Sequence, residues 1–137
     1  MQPSPEDRAL IEAARQAQPQ AYAPYSGYAV GAAVRTADGR LFTGCNIENA
    51  SYGLSICAER VAVFRAVADG ARTIVAVAIV TRDGAPPCGA CRQVLMEFAS
   101  KPEECLVWIA TPDQIMARHT LSELLPNAFV LPPHSPL

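Results

Sequence analysis

The chain has 137 residues, half of them apolar and 18% charged, which is the composition of one globular domain rather than two. Eleven basic residues against thirteen acidic ones give a net charge of −2, and no run of Lys or Arg occurs. Proteins that bind polyanions usually carry a basic face, so this balance argues against nucleic acid as the main partner and favours a small molecule. We expect a single domain over residues 1–137, with a flexible Pro-rich tail at 130–137.

The sequence carries no signal for export or membrane insertion. Residues 1–7 lack a basic head followed by an apolar stretch, and no segment approaches the roughly 18 apolar residues of a spanning helix. Five cysteines, an odd number in such a chain, argue against a disulfide framework. We therefore expect a cytoplasmic protein with reduced thiols and no membrane partner, some of whose thiols bind a metal.

The first third of the chain predicts a helix and then a β-hairpin. Apolar residues recur at spacings of three and four over residues 4–18, which is the stripe of an amphipathic helix, and Ser4 is the predicted N-cap. Residues 22–28 are rich in Pro, Gly and Tyr and predict a loop. Two short apolar runs, 29–36 and 41–45, flank the turn sequence Ala-Asp-Gly-Arg and predict a hairpin.

Helices and strands alternate in the remainder of the chain. The apolar pattern predicts helices over 56–68 and 89–98, strands over 74–80 and 106–110, and a short helix over 121–125. The strand at 74–80 is almost wholly apolar, as in a strand that is covered on both faces and parallel to a neighbour. A hairpin followed by alternating helices and strands predicts the α/β class, a sandwich with a mixed sheet.

Three cysteines stand at the predicted starts of two helices. Cys57 lies at the first, while Cys88 and Cys91 open the second, about 60° apart on one helical face, so both thiolates can reach one ion. A structural zinc site is closed by four protein ligands, whereas a catalytic one keeps a position for water. Three cysteines leave that position open and predict a catalytic zinc site. A redox-active Cys-x-x-Cys pair and buried apolar thiols are the alternatives.

Charged residues flank these cysteines. Glu59 follows Cys57 by two positions, and in the first turn of a helix both side chains can converge on a metal beyond the helix end. Arg60 and Arg92 are candidates to donate hydrogen bonds to the sulfurs and so reduce their donor strength. The alternative for both arginines is a solvated position on a helix surface.

Six segments between residues 21 and 129 resemble the small, homotetrameric, zinc-dependent cytidine deaminases of nucleoside salvage. They are Ala-Pro-Tyr-Ser at 23–26, Val-Gly-Ala-Ala at 30–33, Gly-Cys-Asn-Ile-Glu-Asn at 44–49, Ile-Cys-Ala-Glu-Arg at 56–60, Pro-Cys-Gly-Ala-Cys-Arg-Gln at 87–93 and Glu-Leu-Leu-Pro at 123–126. The resemblance implies a three-layer α/β/α sandwich with a mixed central sheet of about five strands. It also implies one Zn²⁺ per subunit and a homotetramer with shared active sites.

The activity that this resemblance implies is the hydrolysis of cytidine and 2′-deoxycytidine to uridine and 2′-deoxyuridine with release of ammonia. Zinc held by the three cysteines lowers the pKa of its water, and Glu59 takes the proton. Glu59 then passes protons to the ring and to the departing amine.

The same resemblance implies a set of substrate contacts. Asn46 and Glu48 hold the ribose hydroxyls, Tyr28 forms a wall of the base pocket, and Ala58 contacts the substrate. Phe129 matches an aromatic residue that reaches the site of a neighbouring subunit. The alternatives are turn-forming roles for Asn46 and Glu48 and packing of the tail for Phe129.

Two positions depart from the pattern of the family. Tyr28 stands where the family usually has Phe, and its hydroxyl needs a partner if it is buried. Pro86 stands where Ser is common, and it keeps a carbonyl that can accept from the amine but has no N–H. These departures leave open another cytosine nucleoside, such as a nucleoside antibiotic, as the substrate.

A structural zinc domain without turnover is the alternative from a different class. A closed structural site requires a fourth ligand and no adjacent acid, so Glu59 argues against it. His119 and His134 lie far from the motifs in sequence and are expected at the surface.

Overall fold

Five strands pair into one mixed sheet in the computed structural model, which describes residues 2–133. The strands are β1 (Gly31–Thr36), β2 (Leu41–Cys45), β3 (Ile74–Val80), β4 (Leu106–Ala110) and β5 (Ile115–Thr120). Their order across the sheet is β2-β1-β3-β4-β5. The β3–β4 pair is parallel and the other three pairs are antiparallel, which confirms the mixed sheet.

Helices cover both faces of this sheet. They are α1 (Pro5–Ala17), α2 (Ala58–Ala68), α3 (Gly89–Phe98) and α4 (Leu121–Leu124). Helix α1 packs on one face, whereas α2 and α3 pack on the other, so the three-layer α/β/α arrangement is confirmed. Across residues 2–133, every helix falls short of the length and apolarity that a membrane-spanning segment requires.

The core lies in two layers, one on each side of β3. The layer under α1 includes Leu10, Ile11, Ala14, Ala33, Ala76, Ala78, Val80 and Trp108. The layer under α2 and α3 includes Ala32, Val34, Ala62, Val63, Ala66, Val77, Ile79, Leu95 and Val107. Alternate residues of β3 therefore enter opposite layers, and this strand is buried on both faces as its apolar sequence predicts.

Most predicted elements are confirmed, with small shifts at their ends. Ser4 caps α1, its hydroxyl accepting from the amide of Asp7 at 3.1 Å. The helix predicted from residue 56 begins at Ala58, because Cys57 is extended and serves as its N-cap. His134 and the last three residues of the predicted tail lie outside the described residues, so those expectations stay predictions.

Strand β5 is the element that the sequence pattern misses. Its residues alternate between half-buried and exposed positions, and it lies at the edge of the sheet beside β4. An edge strand with Met116, Arg118 and His119 at polar or exposed positions gives little of the apolar signal by which the other four strands are recognised.

The close approach of β2 to α2 requires a glycine. A Cβ atom on Gly44 would lie 2.5 Å from both the carbonyl oxygen of Ala58 and the amide nitrogen of Ala62. No side chain fits between backbones at that distance. Gly44 thus allows the first turn of α2 to rest directly on β2, and this contact fixes where the residues at the start of α2 are held.

Gly44→Ala is expected to lower the free energy of unfolding by about 1–3 kcal/mol, because the added methyl group forces α2 away from β2. Urea unfolding followed by circular dichroism measures the change. Gly53→Ala is the matched control, since a Cβ there meets no atom within 4 Å. Equal stability of the two variants would show that the backbone contact at Gly44 does not constrain α2.

Candidate active site

Three thiols meet where α2 and α3 begin. Cys57 and Cys88 are the N-caps of the two helices, and Cys91 lies in the first turns of α3. The Sγ atoms of Cys57 and Cys88 are 3.9 Å apart, those of Cys88 and Cys91 are 3.4 Å apart, and all three lie within 4.8 Å of one another. The structure thus brings together the three cysteines that the sequence singles out.

The spacing of these thiols fits a zinc ion. With Zn–S bonds of about 2.3 Å in tetrahedral geometry, two ligand sulfurs lie about 3.8 Å apart. The two Sγ–Sγ distances of 3.4 and 3.9 Å are close to that value. Within residues 2–133 the cluster consists of three donor residues, which leaves a fourth position for water. Soft thiolate donors suit zinc rather than calcium or magnesium.

Hydrogen bonds and helix ends favour a thiolate at Cys57. The pKa of Cys57 is lowered to about 5, first by the hydrogen bond from the Cys91 thiol and then by that from Arg60. The Nη2 atom of Arg60 lies 3.3 Å from Cys57 Sγ. The pKa of Cys91 is raised, because Cys91 donates to the Cys57 thiolate and is buried. The amino termini of α2 and α3 add a positive potential at the same point.

Arg92 occupies a different position from the one predicted, and the prediction that it reaches the sulfurs is wrong. Its guanidinium donates to the carbonyl oxygens of Pro87, at 2.8 Å, and Leu124, at 2.7 Å. These bonds direct the side chain toward α4 and away from the thiols. Arg92 therefore fixes the backbone just before Cys88 and ties it to the end of α4.

Glu59 is buried next to the thiol cluster. Its side chain projects from the first turn of α2, is 4% exposed, and lines the same pocket as Cys57 and Cys88. Burial raises the pKa of its carboxyl group to about 7, and the nearby Cys57 thiolate adds to this effect. A carboxyl group in this environment can both accept and donate a proton near neutral pH.

A pocket of 260 Å³ opens in front of the thiols and Glu59. Its walls come from the loop before β1, the segment after β2, the start of α2 and the segment between β3 and α3. The lining residues are Ser26, Tyr28, Val30, Asn46, Glu48, Tyr52, Cys57, Ala58, Glu59, Ile79, Thr81, Ala85, Pro86 and Cys88. This volume suits a small molecule of roughly nucleoside size.

Glu48 is held by the loop before β1. Its Oε1 atom accepts from the amides of Tyr25, at 3.0 Å, and Ser26, at 3.1 Å, while Oε2 accepts from the Ser26 hydroxyl at 2.5 Å. The hydroxyl of Tyr52 is farther from Oε2, at 3.4 Å. The Ser26 hydroxyl is the main reason that the pKa of Glu48 is lowered. Glu48 is thus fixed in its ionised form at the pocket wall.

Asn46 bridges two backbone groups beside Glu48. Its Oδ1 accepts from the amide of Val30 at 2.9 Å, and its Nδ2 donates to the carbonyl of Tyr28 at 2.8 Å. One N–H and one lone pair of the amide remain for other partners. The side chain therefore holds the approach to β1 in place and also lines the pocket.

Tyr28 lines the pocket, and its hydroxyl has a hydrogen-bond partner, as expected for a tyrosine at this position. It donates to Asp83 Oδ1 at 2.5 Å, and the guanidinium of Arg82 lies 4.8 Å from the ring centroid. Neither Asp83 nor Arg82 was predicted from the sequence as a partner of Tyr28. The extra hydroxyl at a position where Phe is usual was the available signal, but it does not say which residue satisfies it.

Of two further predicted substrate contacts, one lies in the pocket and the other on the surface. Ala58 is buried and lines the pocket directly behind Cys57. Phe129 is 68% exposed and is absent from the pocket lining of its own chain, and its carbonyl accepts from Gln93 Nε2 at 3.0 Å. The structure brings the other predicted residues together and leaves Phe129 on the surface.

The chain is similar to known deaminases over most of its length. A family model for the cytidine and deoxycytidylate deaminase zinc-binding region matches residues 4–106. A cytidine deaminase of Halalkalibacterium halodurans is 49% identical over 122 residues, which are 88% of this chain and 91% of that protein.

Solved structures agree. The crystal structure of a cytidine deaminase from Burkholderia pseudomallei has a TM-score of 0.83 and 48% identity, covering 89% of this chain and 98% of that one. The crystal structure of a cytidine deaminase from Mycobacterium tuberculosis has a TM-score of 0.77 and 44% identity, covering 90% and 97%.

Loss of one thiol from the cluster is expected to abolish metal binding. In Cys88→Ala, zinc should fall from about one ion per chain to near zero, because the two remaining thiols form an incomplete site. Elemental analysis of the dialysed protein measures it. Cys45→Ala removes a thiol at the end of β2, outside the cluster, and should keep its zinc. Full zinc in Cys88→Ala would contradict the role of this cysteine.

Proposed function

The chain belongs to the cytidine and deoxycytidylate deaminase family, and from this membership we propose that it hydrolyses cytidine and 2′-deoxycytidine to the uridines and ammonia. One observation carries the proposal: a buried carboxyl group, Glu59, lies beside three thiols with an open fourth position, at the base of a pocket of 260 Å³. A pocket that pairs a metal site with a buried acid suits attack by water on a small polar ring.

Cys57, Cys88 and Cys91 would hold the zinc ion. Zinc held there would lower the pKa of a water molecule and so make it a nucleophile near neutral pH. The side chain of Arg60 donates to the Cys57 sulfur and offsets part of the negative charge of three thiolates.

Glu59 moves the protons of the reaction. It takes a proton from the attacking water as the oxygen bonds to C4 of the cytosine ring, and it delivers this proton to N3. It then transfers the second water proton to the amine, the C4–N bond breaks, and ammonia leaves. The product is uridine, and Glu59 ends in its starting form. The carbonyl of Pro86, in the pocket wall, accepts from the amine.

The far side of the pocket binds the sugar. Glu48 is fixed and ionised, and its long 3.4 Å contact to the Tyr52 hydroxyl leaves acceptor capacity on Oε2 for a ribose hydroxyl. Asn46 offers the free N–H that its two backbone bonds leave over. The ring of Tyr28 forms one wall for the base, and Ala58 contacts the base from the start of α2.

Exposed apolar residues support assembly into a homotetramer. The side chains of Ile47, Leu54 and Phe64, which border one groove beside α2, are between 45% and 66% exposed. Phe129, Val130 and Leu131 are 68–69% exposed at the end of the described chain. Patches of this kind commonly mark protein–protein contacts. We assign the first to subunit packing, and we assign Phe129 to the pocket of a neighbouring subunit.

The remaining expectations follow from composition. Free thiols at all five cysteines suit a reducing cytoplasm. A net charge of −2 and a pocket of nucleoside size suit a free nucleoside rather than a base within nucleic acid. The activity belongs to nucleoside salvage, and neither a membrane nor a nucleic acid partner is required.

Glu59→Gln is expected to keep zinc and to lose about 10²- to 10⁴-fold in kcat, because the amide cannot carry the protons while the three thiols are unchanged. Ammonia release from cytidine and zinc content are measured on the same preparation. Glu97→Gln, the same change at an exposed position on α3, should match the parent in both. Comparable turnover by Glu59→Gln would exclude this residue as the proton carrier.

Shared sites predict complementation between two defective chains. Light scattering should give a mass about four times the 14.6 kDa of one chain, and Phe129→Ala should lose about three- to tenfold in kcat/KM. In hybrids with Glu59→Gln, purified through two affinity tags, activity per Phe129→Ala chain should rise toward the parent. A monomer, or hybrids without that rise, would contradict shared sites.

A further inference from the structure

A hydrogen bond joins two separate walls of the pocket. The hydroxyl of Tyr28, on the loop before β1, donates to Oδ1 of Asp83 at 2.5 Å. Asp83 lies on the segment from Thr81 to Cys88 that joins β3 to α3, here called the β3–α3 loop. The two residues are 55 positions apart in sequence. The bond therefore joins the two segments beyond the ends of β1 and β3, which pair with each other as far as Gly31 and Val80.

The turn that presents Asp83 is held by the hydroxyl of Thr81. The hydroxyl of Thr81 accepts from the amides of Gly84, at 2.8 Å, and Ala85, at 2.9 Å, and donates to Asp83 Oδ1 at 3.3 Å. Thr81 is 2% exposed, so this arrangement is anchored in the core at the end of β3. Asp83 is thus held where the Tyr28 hydroxyl meets it, although its own side chain is exposed.

A second contact supports the first. The guanidinium of Arg82, the residue before Asp83, lies 4.8 Å from the centre of the Tyr28 ring. A cation at this distance is attracted to the face of an aromatic ring. Neighbouring residues of the loop therefore hold both the hydroxyl and the face of Tyr28, which restricts the ring to one orientation.

The β3–α3 loop also carries the chemical end of the pocket. Thr81, Ala85 and Pro86 line the same pocket as Tyr28, and the loop ends at Cys88. The bond between Tyr28 and Asp83 therefore continues the pairing of β1 with β3 and holds the two segments together beside the pocket. A phenylalanine at position 28 would supply the ring but not this connection.

We propose that Asp83 is a positioning residue that fixes the Tyr28 ring and the β3–α3 loop at the spacing that binds the pyrimidine base. Asp83 acts through Tyr28, so it sets the affinity for the nucleoside rather than the rate of the proton transfers at Glu59. This inference rests on the proposed function, because it assigns the pocket to a pyrimidine nucleoside.

The first test uses the zinc-loaded protein without substrate. Hydrogen–deuterium exchange followed by mass spectrometry should show faster exchange of the amides of residues 82–85 in both Tyr28→Phe and Asp83→Ala. The effect of Tyr28→Phe is diagnostic, because the altered residue is remote in sequence from the amides that respond. Tyr22→Phe is the control. It removes a hydroxyl from an exposed ring at the start of the loop before β1. If exchange is unchanged in Tyr28→Phe, the bond between Tyr28 and Asp83 does not hold the β3–α3 loop, and the inference is wrong.

The second test separates KM from kcat for cytidine. Tyr28→Phe and Asp83→Ala should each raise KM by about three- to tenfold with kcat within about twofold of the parent, as expected for loss of one solvent-exposed hydrogen bond. The double variant should have nearly the same KM as either single variant, because each substitution removes the same bond. Asp83→Asn keeps an acceptor oxygen and should lie closer to the parent than Asp83→Ala.

Asp113→Ala is the matched control for the aspartate. Asp113 follows Thr111 as Asp83 follows Thr81, and the Thr111 hydroxyl accepts from the amides of Asp113 and Gln114 in the turn between β4 and β5. Asp113→Ala should leave the KM for cytidine unchanged.

Additive effects in the double variant, equal effects of Asp83→Ala and Asp83→Asn, or a loss confined to kcat would each overturn the inference. If the parent protein releases no ammonia from cytidine, the proposed function fails. The exchange experiment still shows whether the bond between Tyr28 and Asp83 holds the β3–α3 loop.

Discussion

The convergence of two helix amino termini is the constraint on which the rest of the site depends. Helices α2 and α3 pack on the same face of the sheet, and they begin at a common point, so that Cys57, Cys88 and Cys91 lie within 4.8 Å of one another. Three thiols and the buried carboxyl group of Glu59 place several potential negative charges in a small volume. Helix ends, Arg60 and a bound cation offset that repulsion, and without them burial of these groups would be costly.

The backbone contacts around the site explain why this convergence is rigid. Gly44 lets β2 touch the first turn of α2, and Arg92 binds the carbonyl that precedes Cys88 and the end of α4. The pocket in front of the thiols has two differently built ends. The end beside the thiols consists of helix termini and buried groups, whereas the other end consists of loops in which Glu48 and Asn46 are fixed by backbone hydrogen bonds.

Features that depend on residues close together in sequence could be predicted from the sequence. The spacing of Cys88 and Cys91, the hairpin turn and the apolar run of β3 each depend on a few neighbouring residues, and all three correspond to features of the fold. Features set by distant partners were missed or wrong. Arg92 bonds to Leu124, Tyr28 bonds to Asp83, and the edge strand β5 is recognisable through its pairing with β4 rather than through its own apolar pattern. Contacts between residues that are distant in sequence are recognised only once the tertiary fold is known.

Hydrolysis of cytidine in water labelled with heavy oxygen tests the central claim most directly. The zinc-loaded protein is incubated with cytidine, the nucleoside product is weighed by mass spectrometry, and ammonia is assayed in the same sample. We expect equal amounts of ammonia and uridine, with the heavy oxygen in the base at C4, because water attacks that carbon and the amine then leaves. A protein that binds about one zinc per chain but yields neither product would contradict it and would point to a non-catalytic metal site or a different cytosine nucleoside.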